Sequence, residues 1–146
     1  MADNHPAFDP AIVAFLLQGG HGGWLGLEYR AHGEDWFELA LPWRAELVGD
    51  PANDVLASGP ILSMMDTVTS LSVWQKSGQF MPIATLDLRI DYMRPARTGE
   101  TVIGRGECYR VTRSVAFARG IAHDGDPSDP VAHVAACFMR TGTVTP

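Results

Sequence analysis

From Ile61 to Lys76 the chain runs without a glycine or a proline, its longest such stretch. Ser58 can cap a helix there, Pro60 suits the first turn and Gly78 ends the element. The apolar residues Ile61, Leu62, Met64, Met65, Val68, Leu71, Val73 and Trp74 fall on more than one face of that helix. A helix apolar on most sides has to be covered on most sides, so the rest of the chain must wrap around it.

The downstream sequence supplies the wrapping. Ile83–Tyr92 alternates Ala84, Leu86, Leu88, Ile90 and Tyr92 with Thr85, Asp87, Arg89 and Asp91, the period of a strand. After the turn 94–99, further strands are expected over Thr101–Thr112, Ser114–His123 and Val131–Arg140. Gly104, Gly106, Ala116, Ala118, Gly120, Ala132 and Ala136 give one face small side chains, which lets a bulky helix approach. The expected fold is α+β, an antiparallel sheet wrapped around one long central helix. It forms one domain over residues 1–146.

Upstream, residues 1–23 read as an extension carrying a short helix. Residues 1–9 are expected to be loose. Asp9-Pro10 opens a helix over Ala11–Gln18 that Gly19-Gly20 stops. Trp24–Arg30 and Trp36–Leu41 read as strands around a turn at His32-Gly33. Residues 43–60 form a connection long enough to suggest function. His21-Gly22-Gly23 is expected to precede a strand, with no chemistry of its own. Trp24, Trp36, Trp43 and Trp74 read as core or interface residues.

Charge and cysteine content exclude several classes. The net charge is −6, which argues against a nucleic-acid binder, since phosphate neutralisation needs a basic surface. Residues 1–93 carry a net −8 and residues 94–146 a net +2, so an anionic ligand would favour the C-terminal part. Cys108 and Cys137 are too few for a disulfide framework and read as buried thiols. No metal-ligand spacing is present, and His123 and His133 read as sheet-surface residues. Ala11–Leu17 is too short to span a bilayer. No membrane association is expected, and the expected location is the cytoplasm.

The order of elements resembles the hotdog fold, and more narrowly the acyl-CoA thioesterases of the PaaI type. Leu56-Ala57-Ser58-Gly59-Pro60-Ile61-Leu62-Ser63-Met64-Met65-Asp66 is similar to that family's His-Gly-Gly-(six residues)-Asp signature. Ala84 to Ala96 is similar to its central strand, with the Tyr92-Met93-Arg94-Pro95 end. The resemblance spans about residues 24–141. Two departures stand out: Ala57 occupies the place of the family histidine, and Ser58 that of the first glycine. The resemblance implies hydrolysis of an acyl-CoA thioester to free acid and CoA, at a site shared between the subunits of a homodimer or of a homotetramer. Coenzyme A enters as part of the substrate, and no cofactor is implied. The absent histidine keeps a second reading open, a non-catalytic acyl or acyl-CoA binding protein. Leu71 stands where a hydratase of this fold would need histidine.

Thioester hydrolysis needs a carboxylate to deprotonate water or attack the acyl carbon, donors for the oxyanion, and a sheltered pocket. Asp66 is the candidate carboxylate, because burying an acid among Met64, Met65 and Val68 needs a reason; a structural hydrogen-bonding role is the other reading. Gly59, near the helix start, offers its amide to the oxyanion, or is an ordinary helix-start glycine. Pro60 removes one further donor. Thr85 stands where relatives place a hydroxyl that orients water, or serves as a plain strand residue. Regular alternation turns it away from its own Asp66, so it would meet a partner's, unless a bulge intervenes. Asn53 is either a site residue or a turn former. Arg94, Arg97 and Arg113 are the candidate phosphate contacts, with Ser58 beside the substrate. Ile83–Tyr92, apolar on one face, is expected to pair across a two-fold axis.

Overall fold

The computed structural model describes residues 6–142. The chain opens with a 3-10 turn, Pro10–Ile12, followed by α1 (Val13–Leu16) and α2 (Gly20–Leu25). Strands β1 (Glu28–His32) and β2 (Trp36–Leu41) follow, then a small hairpin of β3 (Val48–Asp50) and β4 (Val55–Leu56). The long helix α3 covers Ser58–Ser77, and β5 (Ile83–Tyr92), β6 (Val102–Val111), β7 (Val115–His123) and β8 (Ala132–Arg140) complete the fold. Six strands form one antiparallel sheet in the order β1-β2-β6-β7-β8-β5.

Helix α3 comes close to this sheet because the inner face of β6 and β7 carries mainly glycine and alanine beneath it. A Cβ at Gly106 would sit 2.8 Å from the Val68 carbonyl and 2.9 Å from the Thr69 Cα, closer than side-chain atoms can come, so that position must be glycine. Ala116, Ala118, Ala122, Ala132 and Ala136 are buried on neighbouring strands, and Met64, Met65 and Val68 are sealed against them. Gly78 ends the helix in the left-handed conformation at φ 65°, as its sequence predicts.

Several expectations are corrected. Ser58 is the first residue of α3 and not its cap; Ala57 holds the cap position without a side-chain hydrogen bond. The 43–60 connection contains the β3–β4 hairpin. Residues 6–8 are not loose: Phe8 is buried, its amide donates to the Gly78 carbonyl at 3.1 Å, and Ala7 bridges to Gln79; residues 1–5 lie outside the described residues. Trp24 belongs to α2, not to a strand, because Gly26 adopts φ 74° and closes a helix there. Cys108 is buried as expected, whereas Cys137 is only half-buried. Among the described residues no helix is long and apolar enough to cross a membrane.

The largest correction concerns the face of β5. Its pairing with β8 shifts between Thr85 and Asp87, so Leu86 is an extra, bulged residue, 52% exposed. The bulge changes the parity of the strand. Leu88 and Ile90 join Ile83 against the core, and Thr85 faces α3 with them. β5 is also an edge strand, paired on one side only.

Candidate active site

The covering of α3 is incomplete. Ile61, Met64, Met65, Val68 and Leu71 are buried, while Gly59, Leu62, Ser63, Asp66, Thr67 and Ser70 are exposed or half-buried. These latter positions follow the i, i+3, i+4, i+7 spacing of one helix face. Asp66 therefore sits on the open stripe, turned away from Met64, Met65 and Val68. The expectation of an acid buried in apolar surroundings is corrected: sequence neighbours on a helix point to different sides.

Asp66 and Thr85 meet within one protomer. Thr85 Oγ1 donates to Asp66 Oδ1 at 2.8 Å, a contact that the bulge at Leu86 makes possible. The second carboxylate oxygen, Oδ2, has no protein partner among the described residues. One oxygen is thus fixed and the other left open, an arrangement suited to accepting a proton.

Gly59 stands near the start of the same stripe. As a first-turn residue its N–H has no intrahelical acceptor, and the helix dipole favours negative charge there. A Cβ at Gly59 would meet nothing within 4 Å, so neither packing nor backbone angle demands a glycine. Gly59, Leu62 and Ser63 line a cleft of about 410 Å³ with His21 and Trp24 of α2 and with Leu47 and Val48. Trp24 is 64% exposed, so of the two expected places, core or interface, the core is excluded.

On the other side of the helix start lies a second cleft of about 330 Å³, lined by Ser58, Ile61, Tyr92, Met93 and Arg94 among others. Tyr92 Oη donates to the Ser58 carbonyl at 2.9 Å, tying the end of β5 to the first turn of α3. Burial pushes the Tyr92 phenol up, with the Ser58 contact opposing it, so the group stays a donor.

The arginines divide. Arg94 makes a bidentate pair with Asp124, at 2.6 and 2.9 Å, and reaches the Asp129 carbonyl at 2.8 Å. The Asp124 side chain is 0% exposed and also accepts the Arg97 amide at 2.8 Å. Hydrogen bonding from Arg94, against the opposing effect of burial, holds the Asp124 carboxyl far below the usual range. The same bond pushes the Arg94 guanidinium up. Arg94 thus locks the turn after β5 to the loop between β7 and β8. Arg97 is mostly exposed, with looser contacts of 3.8 Å to Asp124 and 3.6 Å to Asp129. Arg113 is exposed at the β6–β7 turn, with no ion pair among the described residues. Asn53 donates to Asp50 Oδ2 at 2.8 Å in the β3–β4 turn. It lines neither cleft.

Two residues outside the expected site residues line the cleft beside Gly59: Ser63, and His21 of the triplet expected to have no chemistry of its own. His21 Nε2 lies 3.0 Å from Ser63 Oγ across 42 residues of chain. Ser63 carried a usable signal, three residues before Asp66 on the same face. His21 carried none, since its place depends on how α2 folds back.

The model of the thioesterase superfamily matches residues 54–131, a segment that includes Gly59, Asp66 and Thr85. The chain belongs to the thioesterase superfamily. This thioesterase is 28% identical over 113 residues to the medium/long-chain acyl-CoA thioesterase YigI of Escherichia coli K12, covering 68% of this chain and 72% of that one. It resembles a crystal structure from Pseudomonas aeruginosa with TM-score 0.78 and 42% identity, over 87% of this chain and 94% of that chain. It also resembles the PaaI protein of the E. coli phenylacetic acid degradation operon, with TM-score 0.77 and 14% identity, over 90% and 91% of the two chains. The thioesterase is a thioester hydrolase with the hotdog architecture that its sequence suggested.

Proposed function

We propose that this thioesterase hydrolyses acyl-CoA thioesters by carboxylate-assisted attack of water. The supporting observation is the Thr85–Asp66 contact, which fixes one carboxylate oxygen and leaves the other to take a proton from water. Water adds to the acyl carbon, its proton passes to Asp66, and the carbonyl oxygen takes up negative charge near the Gly59 amide. The oxyanion then collapses and the C–S bond breaks; the sulfur leaves with its electron pair and takes the proton back from Asp66, so the carboxylate is regenerated and the products are the free acid and CoA. The names of the YigI relatives support an acyl-CoA substrate. Arg97 and Arg113 offer exposed guanidinium groups to the CoA phosphates, whereas Arg94 acts as a structural tie.

The reading extends to a homodimer. β5 offers an unpaired edge ten residues long, and Leu62, Leu86, Tyr92 and Met93 are exposed beside it and beside the open stripe of α3. Unpaired backbone flanked by apolar side chains favours pairing with a second copy. A copy seated there would close the stripe over Asp66 and exclude water from the thioester, and two such dimers can assemble further.

The test is release of free thiol from short, long and aromatic acyl-CoA substrates, with Asp66→Ala in parallel. Turnover by the native protein, lost in the variant while its fold is retained, is the expected result. Undiminished turnover in the variant would overturn the assignment of Asp66. Saturable binding of acyl-CoA with no thiol release would favour the non-catalytic alternative.

A further inference from the structure

Helix α3 carries many hydroxyl side chains, and most bond back to their own helix. Thr67 donates to the Ser63 carbonyl at 2.8 Å, Thr69 to Met65 at 2.7 Å, Ser70 to Thr67 at 2.7 Å and Ser72 to Thr69 at 2.6 Å. That is the default for Ser and Thr inside a helix. Ser63 departs from it: its Oγ is held by His21 Nε2 at 3.0 Å.

His21 is exposed and rests against one neighbouring ring. Its ring stacks near Trp24, with centroids 6.2 Å apart and planes 13° from parallel. The turn that carries both is tight, since a Cβ on Gly23 would come within 2.6 Å of the Gln18 carbonyl. His21, Trp24, Gly59 and Ser63 line the same cleft. Ser63 follows Gly59 by one turn and precedes Asp66 by one turn, on the same stripe.

We propose that the Ser63 hydroxyl is a second oxyanion donor for thioester hydrolysis, and that His21 is the positioning residue that holds it. The inference rests on the hydrolytic reading given above. With its proton on Nε2, the imidazole donates to Ser63 Oγ. The serine then keeps its own proton to donate to the carbonyl oxygen of the thioester, beside the Gly59 N–H. A hydroxyl that accepts one hydrogen bond becomes a stronger donor of the next. The need for such a donor follows from Pro60, which has no N–H to offer at the helix start. No proton changes owner in this step: the pair stabilises charge on the oxygen while water adds, and releases it when the C–S bond breaks.

The test uses the full chain and measures kcat and KM for an acyl-CoA that the native protein hydrolyses. Ser63→Ala should lower kcat by about 100-fold, the scale of one lost oxyanion donor, with KM within about threefold. His21→Ala should lower kcat by about tenfold, and His21→Gln, which keeps an N–H, should recover most of it. The double variant should be no slower than Ser63→Ala alone, because His21 acts only through Ser63. Melting temperatures are read alongside; a purely structural role would move them without this split between kcat and KM. Ser63→Ala within about twofold of native kcat, or a double variant clearly slower than Ser63→Ala, overturns the inference. Asp66→Ala separates the two levels. If it is inactive while the Ser63 and His21 variants run at full speed, only this inference falls; if it retains full activity, the hydrolytic reading falls and takes the inference with it.

Discussion

Asp66 and Asp124 are both held by hydrogen bonds, and the difference between them separates the proposed working end of the molecule from its frame. Asp124 is sealed from solvent and bound at both oxygens by the Arg94 guanidinium, with the Arg97 amide added. Every lone pair that matters is engaged by a cation or an amide, so the carboxylate has nothing left to do but hold two loops together. Asp66 is half-buried and bound at one oxygen by a neutral hydroxyl. A buried, fully paired acid is a structural tie, whereas a partly open acid with one oriented oxygen retains the capacity to move a proton.

The variants that break this contrast should do so in opposite currencies. Asp66→Ala should lower kcat by about 10²–10⁴, the range for a lost general base, and leave the melting temperature near native. Asp124→Asn should do the reverse: a loss of about 3–5 kcal/mol of stability in chemical denaturation, with little change in kcat for the molecules that remain folded. The same residue gives a pH test. Its folded pKa lies below its unfolded value, so once the pH falls under about 4 the unfolded chain binds the extra proton and stability declines. Above that value the contribution is fully present. Denaturation curves between pH 5 and pH 2, about that threshold, should therefore fall more steeply for the native protein than for Asp124→Asn.

Smaller effects sharpen the comparison within the site. Thr85→Val removes the hydroxyl that orients Asp66 and keeps the branched shape, and should cost about tenfold in kcat with about 1 kcal/mol or less in stability. Gly59→Ala should leave stability unchanged or raise it by about 0.4–1 kcal/mol, since its Cβ meets open space. Its kcat should nevertheless fall, because the methyl group crowds the approach of the thioester to the amide. A melting curve beside a thiol-release assay checks both.

Much of the fold was legible in the sequence because it depends on patterns shorter than a strand. Ile83–Tyr92 was read with its observed ends, since alternation there is clean, and the small-residue face that admits α3 is visible in Gly104, Gly106, Ala116 and Ala118. The face of β5 was not legible: a single bulged residue, Leu86, reverses which side chains face the helix, and it leaves no mark in the pattern of alternation. That one residue moved the Thr85–Asp66 contact from between subunits to within one. The Gly-rich turn of α2 was missed because Gly20, Gly22 and Gly23 have poor helix propensity and the segment is set by its packing. With it went the place of His21. Arg94 shows the complementary error, a guanidinium that looks available in a turn until the loop from β7 to β8 folds over it.

The central claim is that the open oxygen of Asp66 activates water and is not itself the attacking atom. A single turnover in heavy-oxygen water, followed by mass analysis of the acid product and of the peptide containing Asp66, tests it directly. The account predicts the label in the released acid and none in Asp66. Label in the Asp66 carboxylate would show that it had carried the acyl group, and would contradict the account.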